Sequence, residues 1–418
     1  MVPQNAPIMH LSDETLLFIF EMTLPAKEAK RISYCNYNVP KDPRSALGPL
    51  LLTCRRFSNI IYQTPTLWTC ISARMIRPDI RRRLSLSKSV PLAMDFHEPE
   101  FTSPKLYPSV FRDVRPSIGR WQDVTIPILD NWDKFFKVPV DFSLLRQMTI
   151  GCGRNAEQQV FWGCSFPHLE MLNLISFKYL PSNAEFPSLR ECEIQFSNKY
   201  SATEMYRLLT FLESVRSVEV LRIKIMALSR PDPEPIQLQA RLCLPHLNDI
   251  ALTDPYGFHS LQVLRNISIP TARKLSLESK LNTISVERIS FDFQHPIEHL
   301  EIHEARISLA KILPCFPSLR KLGVQTDPNS TSLSSLWTSV DKRHCRSLEN
   351  LQIDGIDEQG NNLHDVLGML KSLRDLGVQL KKLEVSPVIL NGQDKIRAAL
   401  SETCVVFYRR QDEHKVTL

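Results

Sequence analysis

The sequence is poor in glycine, with 12 glycines against 29 prolines in 418 residues. Loops that bind phosphate depend on glycine because the backbone must approach the phosphate closely. One stretch, Gly151-Cys-Gly-Arg-Asn-Ala156, matches the G-x-G-x-x-A pattern. Its neighbours belong to the repeat described below and not to a βαβ unit, so we interpret it as a loop turn. We therefore expect no nucleotide cofactor.

The sequence also lacks the patterns that mark common catalytic and metal sites. It contains no P-loop, no G-x-S-x-G and no H-E-x-x-H. None of its ten cysteines forms a C-x-x-C pair, and none has a recognisable catalytic setting. We predict a binding protein and not an enzyme, with no catalytic residue, no cofactor and no metal.

A secretory or membrane-spanning segment is missing as well. Asp13, Glu14 and Glu21 interrupt the apolar stretch that a signal peptide would need. No apolar run approaches the roughly 20 residues required to cross a bilayer. Because scattered free thiols suit a reducing compartment, we expect a cytoplasmic and/or nuclear protein without a membrane partner.

Charge is spread thinly, and the formal net charge is +6. Nucleic-acid interfaces usually present a basic stripe with interleaved aromatic residues, so we expect no nucleic-acid partner. The densest basic stretch predicts a solvated helix face, with a localisation signal or an anionic contact as alternatives. Its members are Arg74, Arg77, Arg81, Arg82, Arg83 and Lys88.

Two helices are predicted near the N-terminus. The first begins at Ser12, a suitable N-cap, and its apolar positions recur at helical spacing. They are Leu16, Ile19, Phe20 and Leu24. The second is expected directly after Pro49, and Thr64-Pro65 ends it because a residue before proline is disfavoured in helical conformation. Its apolar stripe is Leu50, Cys54, Phe57 and Ile61, and Leu67-Trp68 follows at once.

Three segments of this region, His10–Phe20, Leu51–Phe57 and Thr64–Trp68, resemble an F-box, in particular the F-box-like class of mushroom-forming fungi. F-boxes dock a Skp-type adaptor and thereby join SCF (cullin-RING) ubiquitin ligases. The sequence departs from the family pattern at Ser12, where proline is usual, and at Phe57, where tryptophan is usual. The resemblance implies the adaptor-binding residues Leu11, Ser12, Leu16, Ile19, Phe20, Leu24, Cys54, Phe57, Leu67 and Trp68. A helical cap that shields the first repeat is the alternative.

A second pattern, apolar-x-x-apolar-x-apolar, recurs through the remainder of the chain, with clear copies at Phe166–Leu174, Phe186–Ile194 and Phe316–Val324. Its intervals fall within the 20–29 residues typical of leucine-rich repeats, although the asparagine that usually follows the strand is missing. The central apolar residues are Val124, Met148, Leu172, Cys192, Leu221, Ile250, Leu275, Leu300, Leu322 and Leu351. For the last copy we prefer the frame Leu380-x-x-Leu383, because Leu363–Leu376 reads as a helix that Gly377 ends.

The predicted fold class is α/β: an N-terminal helical F-box-like module followed by a leucine-rich-repeat-like solenoid of short parallel strands and helices or loops. We divide the chain into the module at 1–73 with an insertion at about 26–48, atypical repeats or linker at 74–120, the array at 121–390 and a C-terminal cap and tail at 391–418. Individual elements are expected at Pro91–Phe96 (first strand), Thr203–Val215 (helix), Gln393–Leu400 (helix) and Cys404–Tyr408 (strand).

Residues beside the central apolar positions should line the concave face of the array. Their signs are mixed, which favours recognition of a protein over nucleic acid. The candidate target-binding residues are Asn173, Glu191, Glu193, Arg222, Lys224, Lys274, His299, Glu301, Lys321 and Asp354, with Asp249, Glu278, Gln352 and Glu384 beside them. His295, His299 and His303 would share a metal-binding face on a helix, but Pro296 and the repeat frame predict a strand.

These patterns together predict a non-catalytic substrate-recognition subunit of an SCF ligase. It would bind a Skp-type adaptor, and through it a cullin, while the array holds a protein target of unknown identity. We expect a monomer within that complex. The alternative is a protein-interaction scaffold of the same architecture with no role in a ubiquitin ligase.

Overall fold

The structure is a computed structural model. It describes residues 7–23, 44–73, 75–96, 107–129, 140–152, 164–175, 185–196, 202–226, 241–254, 258–278, 294–303, 309–325, 347–356, 380–387 and 406–408, together with scattered positions from 345 to 378. Helices come first along the chain, and strands alternate with connecting segments after them. The molecule is therefore a mixed α/β protein.

Helix α1 (Asp13–Thr23) follows a short 3-10 turn (Pro7–His10). Ser12 caps the helix as predicted, because its hydroxyl oxygen accepts a hydrogen bond from the Thr15 N–H at 3.2 Å. The pKa of Glu14 is lowered, chiefly by a hydrogen bond with its own backbone and next by the Ser12 hydroxyl. The predicted start of this helix is confirmed.

The single helix predicted after Pro49 is wrong, because the structure has two helices there. Pro49 lies inside α2 (Arg44–Thr53), and α3 (Arg55–Gln63) follows. Cys54 between them is extended, with φ −158° and ψ 165°, which interrupts the helical hydrogen bonds. Proline removes one donor from α2, and the buried side chain of Leu47 holds the helix in the core nevertheless.

The N-terminal helices enclose a small apolar core of their own. The Phe20 and Phe57 rings meet edge to face with centroids 5.1 Å apart. The Trp68 indole N–H donates to the Ile61 carbonyl at 2.8 Å, so this large ring is buried without losing its hydrogen bond. The buried residues are Leu16, Phe20, Leu47, Phe57, Ile60, Ile61, Leu67 and Trp68.

One parallel sheet of 14 strands runs through the rest of the described chain, and each strand pairs with the next in chain order. Its strands are β1 (Cys70–Ser72), β2 (Leu92–Asp95), β3 (Trp121–Leu129), β4 (Gln147–Cys152), β5 (Met171–Ile175), β6 (Glu191–Phe196), β7 (Val220–Ile225), β9 (Asp249–Thr253), β11 (Lys274–Glu278), β12 (His299–His303), β13 (Lys321–Gln325), β14 (Asn350–Ile356), β15 (Lys382–Pro387) and β16 (Val406–Tyr408). Two further strands, β8 (Leu242–Cys243) and β10 (Ile267–Ser268), pair with each other.

Helices connect several of these strands. They are α4 (Arg77–Leu86), α5 (Tyr107–Val114), α6 (Ala202–Ser214), α7 (Phe258–Asn266) and the short α8 (Leu309–Ile312). Helix α6 confirms the helix predicted at Thr203–Val215. A tight hairpin cannot join successive parallel strands, so the chain must return to the start of the next strand by a longer connection. The helices are parts of these connections and cover the buried face of the sheet.

The central apolar positions predicted from the repeat spacing lie in register. Val124 lies opposite Met148, Met148 opposite Leu172, and the row continues strand by strand to Leu351. All of them are buried. Leu383 extends the row opposite Leu351, which confirms the preferred frame of the last copy.

The sheet begins earlier than the sequence predicted. The expected first strand within Pro91–Phe96 is β2, and β1 precedes it with Ile71 opposite Met94. Because β1 has only three residues, its apolar spacing is too short to be recognised as a repeat. The strand predicted as the first of the sheet is therefore the second.

The far end of the sheet matches the predicted elements where they are described. Gly377 has φ +75°, a left-handed conformation that disfavours other residues. The Val378 N–H donates to the Leu373 carbonyl at 3.0 Å, which closes the preceding helical turn as a Schellman motif. The last predicted strand is present as β16, whereas Gln393–Leu400 lies outside the described residues.

Phenylalanine rings that lie shortly before the strands of successive repeats pack in a row beneath the sheet. Phe142 stacks on Phe166 at 5.2 Å between centroids, and Phe166 stacks on Phe186 at 5.5 Å. Trp121 extends the row at one end and Phe211 of α6 at the other. One apolar core therefore continues from repeat to repeat, as a repeat array requires.

The basic stretch after β1 is exposed at Arg81, Arg82 and Lys88, as predicted, whereas Arg83 is buried against the protein and Arg74 lies outside the described residues. The guanidinium of Arg83 is buried, donates to the Cys70 carbonyl at 3.0 Å and lies 5.6 Å from the centre of the Trp68 ring. Arg82 lies over the Tyr62 ring at 5.1 Å. Tyr62 and Trp68 stack at 5.6 Å, so α4 is joined to the N-terminal helices.

Two other arginines of this stretch bind the carboxylate of Asp113 on α5. Arg77 Nε lies 2.7 Å from Oδ2, and Arg81 Nη2 lies 3.0 Å from Oδ1. The Arg77 guanidinium, followed by Arg81, holds the pKa of Asp113 well below its usual range. Lys88 is exposed. The stretch mainly fastens α4 to its neighbours.

Candidate interaction surfaces

Large apolar side chains are exposed on the N-terminal helices. Phe18 and Met22 are 63% and 71% exposed, and their spacing of four residues places them on one side of α1. Leu52 on α2 is 88% exposed, and Ile8 lies in the turn before α1 at 37%. A helix that is apolar on more than its buried side usually packs against something else.

Half of the ten predicted adaptor-binding residues are buried and do not belong to this exposed set. Leu16, Phe20, Phe57, Leu67 and Trp68 are buried in the core of the N-terminal helices. A further three, Leu11, Ile19 and Cys54, are half-buried, Ser12 is exposed, and Leu24 lies outside the described residues. The buried members support the shape of the surface and cannot reach a partner without unfolding.

Sequence reasoning missed the exposed residues Phe18, Met22 and Leu52. A signal for Phe18 was present, because Leu16 to Phe20 is an unbroken apolar run, longer than one helix face can bury. Leu52 was missed because the extended conformation of Cys54, which divides the two helices, leaves no mark in the apolar spacing.

Arg56 holds the segment before α1 in place. Its guanidinium donates to Asp13 Oδ1 from Nε at 2.8 Å and from Nη2 at 2.6 Å. Nη1 donates to the Met9 carbonyl at 2.6 Å, and Nη2 also donates to the Leu11 carbonyl at 2.7 Å. The arginine therefore fixes residues 9–13 against α3 and orients the exposed side of α1.

The second surface is the face of the sheet opposite the core, which we call the open face. Side chains alternate between the two faces, so most residues before and after the central apolar positions are partly exposed. The first row, one residue before the central positions, is Asp123, Gln147, Met171, Glu191, Val220, Asp249, Lys274, His299, Lys321, Asn350 and Lys382. The second row, one residue after them, includes Asn173, Glu193, Arg222, Glu301, Gly323 and Glu384. The third row, two residues further, includes Lys224, Glu278, His303 and Asp354.

Every predicted target-binding residue belongs to one of these rows. The structure therefore places them on one face, although it distributes them over strands β5 to β14. Two ion pairs cross between β6 and β7: Lys224 Nζ lies 2.7 Å from Glu193 Oε1, and Arg222 Nη1 lies 3.9 Å from Glu191 Oε2. Diagonal pairs of this kind contribute to sheet stability as cross-strand neighbours.

A tighter cluster surrounds Glu301 on β12. His299 Nε2 lies 3.1 Å from Oε1, and Lys274 Nζ lies 3.2 Å from Oε2. The His299 imidazole and then the Lys274 ammonium lower the pKa of Glu301 to about 2, against the opposing effect of burial. A Cβ on Gly323 would lie 3.4 Å from the Glu301 Cγ, so glycine leaves room for this carboxylate.

The three predicted histidines do not form one group. His295 is buried on the other side of the sheet, where Nε2 lies 3.1 Å from the Leu264 carbonyl. His299 and His303 share the open face on strand β12, and His303 Nδ1 lies 2.7 Å from Gln325 Oε1. Within the described parts of the chain, no three His, Cys, Asp or Glu side chains converge in a way that would hold a metal ion.

Three of the described cysteines, Cys164, Cys192 and Cys345, are not activated as thiolates. Burial raises the pKa of each of these thiols, to about 11 for Cys345. A raised pKa keeps a thiol protonated and poorly nucleophilic at neutral pH. These three side chains act as apolar core residues.

Comparisons with known proteins add little to this description. No family model and no curated protein matches the chain. A crystal structure of a Bacteroides fragilis protein, solved by a structural genomics consortium, is similar over 67% of this chain and 69% of that chain, at 15% identity and a TM-score of 0.33. A TM-score of that size indicates only loosely similar geometry. Within the described residues, no helix combines the length and apolarity needed to span a bilayer.

Proposed function

We propose that the protein is a non-catalytic substrate-recognition subunit of an SCF ubiquitin ligase. The F-box-like helices dock a Skp-type adaptor, and the leucine-rich-repeat-like array holds a protein target. The observation that carries the proposal is the exposure of the large apolar side chains Phe18, Met22 and Leu52 on the helices that resemble an F-box. An amphipathic helix that lays its apolar side into a groove is a common mode of protein recognition.

The rest of the N-terminal region supports this role. Five residues of the F-box-like pattern fill the core, and Ser12, where the family usually has proline, caps α1. Phe57, where tryptophan is usual, packs against Phe20. Both departures are therefore compatible with a stable module. The mechanism needs no bond chemistry from this chain, because bringing a target near a ubiquitin-charged enzyme raises its effective concentration.

Capture of the full chain by an immobilised recombinant Skp-type adaptor tests the proposal. We expect Phe18→Asp with Met22→Asp to lower capture at least about tenfold, since aromatic and other large anchors carry most interface energy. Tyr206→Asp on α6 is the matched control, because Tyr206 is 61% exposed on a helix of the array. Thermal melts of all three proteins should agree, because each changed side chain is exposed.

Two results would contradict the proposal. If wild type is not captured, the chain is an interaction scaffold without a ligase role. If Tyr206→Asp and the double variant lose capture equally, the apolar surface on α1 is not the docking site. Aspartate at Leu16 or Phe20 is a poor test, because both side chains are fully buried and the change would unfold the helices.

A further inference from the structure

Charges of both signs occur along the whole chain, but their excess is confined to its first part. The first 120 residues contain 17 lysines and arginines against 10 aspartates and glutamates, whereas the remaining 298 residues contain 34 against 35. The repeats are therefore close to neutral. The part of the chain that includes the F-box-like helices carries the formal excess of positive charge.

Several cations of this excess are exposed on three adjoining helices, and we call them the basic surface. Arg82 of α4 lies over the Tyr62 ring of α3 at 5.1 Å, and Arg81 of α4 lies 3.0 Å from the Asp113 carboxylate of α5. These contacts place α3, α4 and α5 side by side. The exposed cations are Arg55, Arg81, Arg82, Lys88, Arg112 and Arg115.

Carboxylates on the same helices neutralise only part of this charge. Helix α3 contains no acidic residue, and α4 contains Asp79 against four arginines. Asp113 is the acidic residue of α5, and its side chain is only 9% exposed because Arg77 and Arg81 both bind it. One carboxylate between two guanidinium groups leaves one positive charge in excess.

The basic surface begins next to the exposed apolar side chains of the N-terminal helices. Leu52 and Arg55 are three residues apart, which is at most about 11 Å of chain. Arg55 and Tyr62 lie two turns apart on the side of α3 away from the buried Phe57, about 10 Å along the helix axis. A standard protein interface covers about 800 Å² on each partner, a disc roughly 30 Å across. A single protein that covers Leu52 therefore reaches Arg55 and Arg82.

Helix α1 offers a partner the opposite sign of charge. Glu14 and Glu21 are exposed beside Phe18 and Met22. A partner that covers α1 and α3 to α5 meets carboxylates at one end and cations at the other. Because like charges in contact are costly, this contrast permits one orientation of a charged partner and disfavours the reverse.

We propose that the basic surface binds a carboxylate-rich surface of the same adaptor that docks on Phe18, Met22 and Leu52, and that this contact orients the adaptor and speeds its association. The inference rests on the proposed function. A protein suits the site better than nucleic acid, because phosphates would meet Glu14 and Glu21 and would leave the apolar side chains uncovered. Exposed ion pairs add little affinity, so the effect belongs chiefly to the rate of association.

The rate at which the full chain associates with an immobilised recombinant Skp-type adaptor tests the inference. Biolayer interferometry gives association and dissociation rates separately. We expect the association rate of wild type to fall at least about fivefold between about 50 mM and 500 mM sodium chloride, because salt screens exposed charges. The dissociation rate should change much less, since the apolar contacts are not screened. An association rate that does not depend on salt would refute the electrostatic contact.

Matched variants locate the contact. Arg55→Glu with Lys88→Glu should lower the association rate about tenfold at the lower salt concentration, and by less than about twofold at the higher one. Arg55→Lys with Lys88→Arg keeps both charges and should retain the wild-type rate. Arg216→Glu is the control for charge reversal, because Arg216 is a 55% exposed arginine of the array. Equal losses in the control and in the double reversal would overturn the assignment, provided that thermal melts of all variants agree.

The outcomes separate this inference from the proposed function. Adaptor capture with an association rate that is indifferent to salt and to the double reversal refutes the basic contact alone. Failure of wild type to bind the adaptor refutes the ligase role and, with it, the adaptor as the acidic partner. Tighter binding of a DNA duplex of about 20 base pairs than of the adaptor, lost in the double reversal, would assign the basic surface to nucleic acid instead.

Discussion

Arg56 is one residue whose role becomes visible only in three dimensions. In the sequence it is one of two adjacent arginines after Cys54. In the fold its planar guanidinium reaches Asp13 and two backbone carbonyls before α1, whereas Arg55 is exposed. The fixed fork geometry of arginine allows several donors to act at once, which the single ammonium of lysine cannot reproduce.

Arg56→Lys should therefore lower the free energy of unfolding of the N-terminal helices by about 1–2 kcal/mol, because two or more charge-assisted hydrogen bonds are lost. Urea denaturation monitored by tryptophan fluorescence, with Trp68 as the local reporter, measures the change. Arg55→Lys is the control and should have no effect beyond a few tenths of a kcal/mol. Equal stability of the two variants would remove the proposed role of Arg56.

A second residue, His295, makes stability depend on pH. Burial lowers its pKa below the ordinary value of 6.5, although the hydrogen bond to the Leu264 carbonyl opposes this. The unfolded chain therefore takes up the proton at a higher pH than the folded chain does. The contribution of neutral His295 is fully present above about pH 6.5 and is lost as the pH falls below it.

The melting temperature of wild type should consequently fall between pH 7.5 and pH 5.5, and His295→Gln should show a smaller fall. Glutamine can still donate to the Leu264 carbonyl but does not titrate. His246→Gln, at an exposed position, should follow the wild-type curve. Differential scanning calorimetry at both pH values provides the comparison, and identical slopes for wild type and His295→Gln would disprove the assignment.

Among the elements, strands were more predictable than helices. The repeat spacing predicted the register of Val124 through Leu351. A shift of one residue would move every apolar side chain of a strand from the core to the open face, so the register is strongly specified. The division between α2 and α3 was not predictable, since it depends on one extended residue, Cys54, which continues the helical spacing of Leu50, Phe57 and Ile61. Strand β1 was missed because three residues are too few to show the alternation of apolar and polar positions that marks a strand.

At the end of the helix before β15, glycine has a conformational role that can be measured. Gly377 has φ +75° and nothing within 4 Å of the position a Cβ would take. Alanine there would therefore be destabilising only through its unfavourable backbone conformation. Gly377→Ala should destabilise by about 1 kcal/mol. Gly48→Ala, inside α2 and also in open space, should instead stabilise by about 0.5–1 kcal/mol.

Chemical denaturation of both variants checks this contrast, and the same substitution should change stability in opposite directions. Loss of stability in Gly48→Ala would mean that the helical conformation at this position is wrong. No loss in Gly377→Ala would mean that the left-handed turn does not end the preceding helix.

For the whole molecule, the important question is how the N-terminal helices are held to the array. The two have separate apolar cores. Between them, Arg82 and Arg83 of α4 lie against the stacked rings of Tyr62 and Trp68. The sequence showed these arginines only as part of a basic run, because side chains that bind aromatic faces have no periodic signature. If the proposed function holds, this contact determines where a target stands relative to the adaptor.

Arg83→Ala should therefore loosen the N-terminal helices without unfolding the repeats. The substitution leaves the Cys70 carbonyl without its donor at 3.0 Å and uncovers the Trp68 ring, a loss of about 2–3 kcal/mol. Hydrogen exchange followed by mass spectrometry should show lower protection in α1–α3 and unchanged protection in β11–β14. Arg81→Ala on the same helix removes only the exposed contact with Asp113 and should leave α1–α3 protected. A uniform loss of protection along the array would show instead that the N-terminal helices and the repeats unfold as one unit.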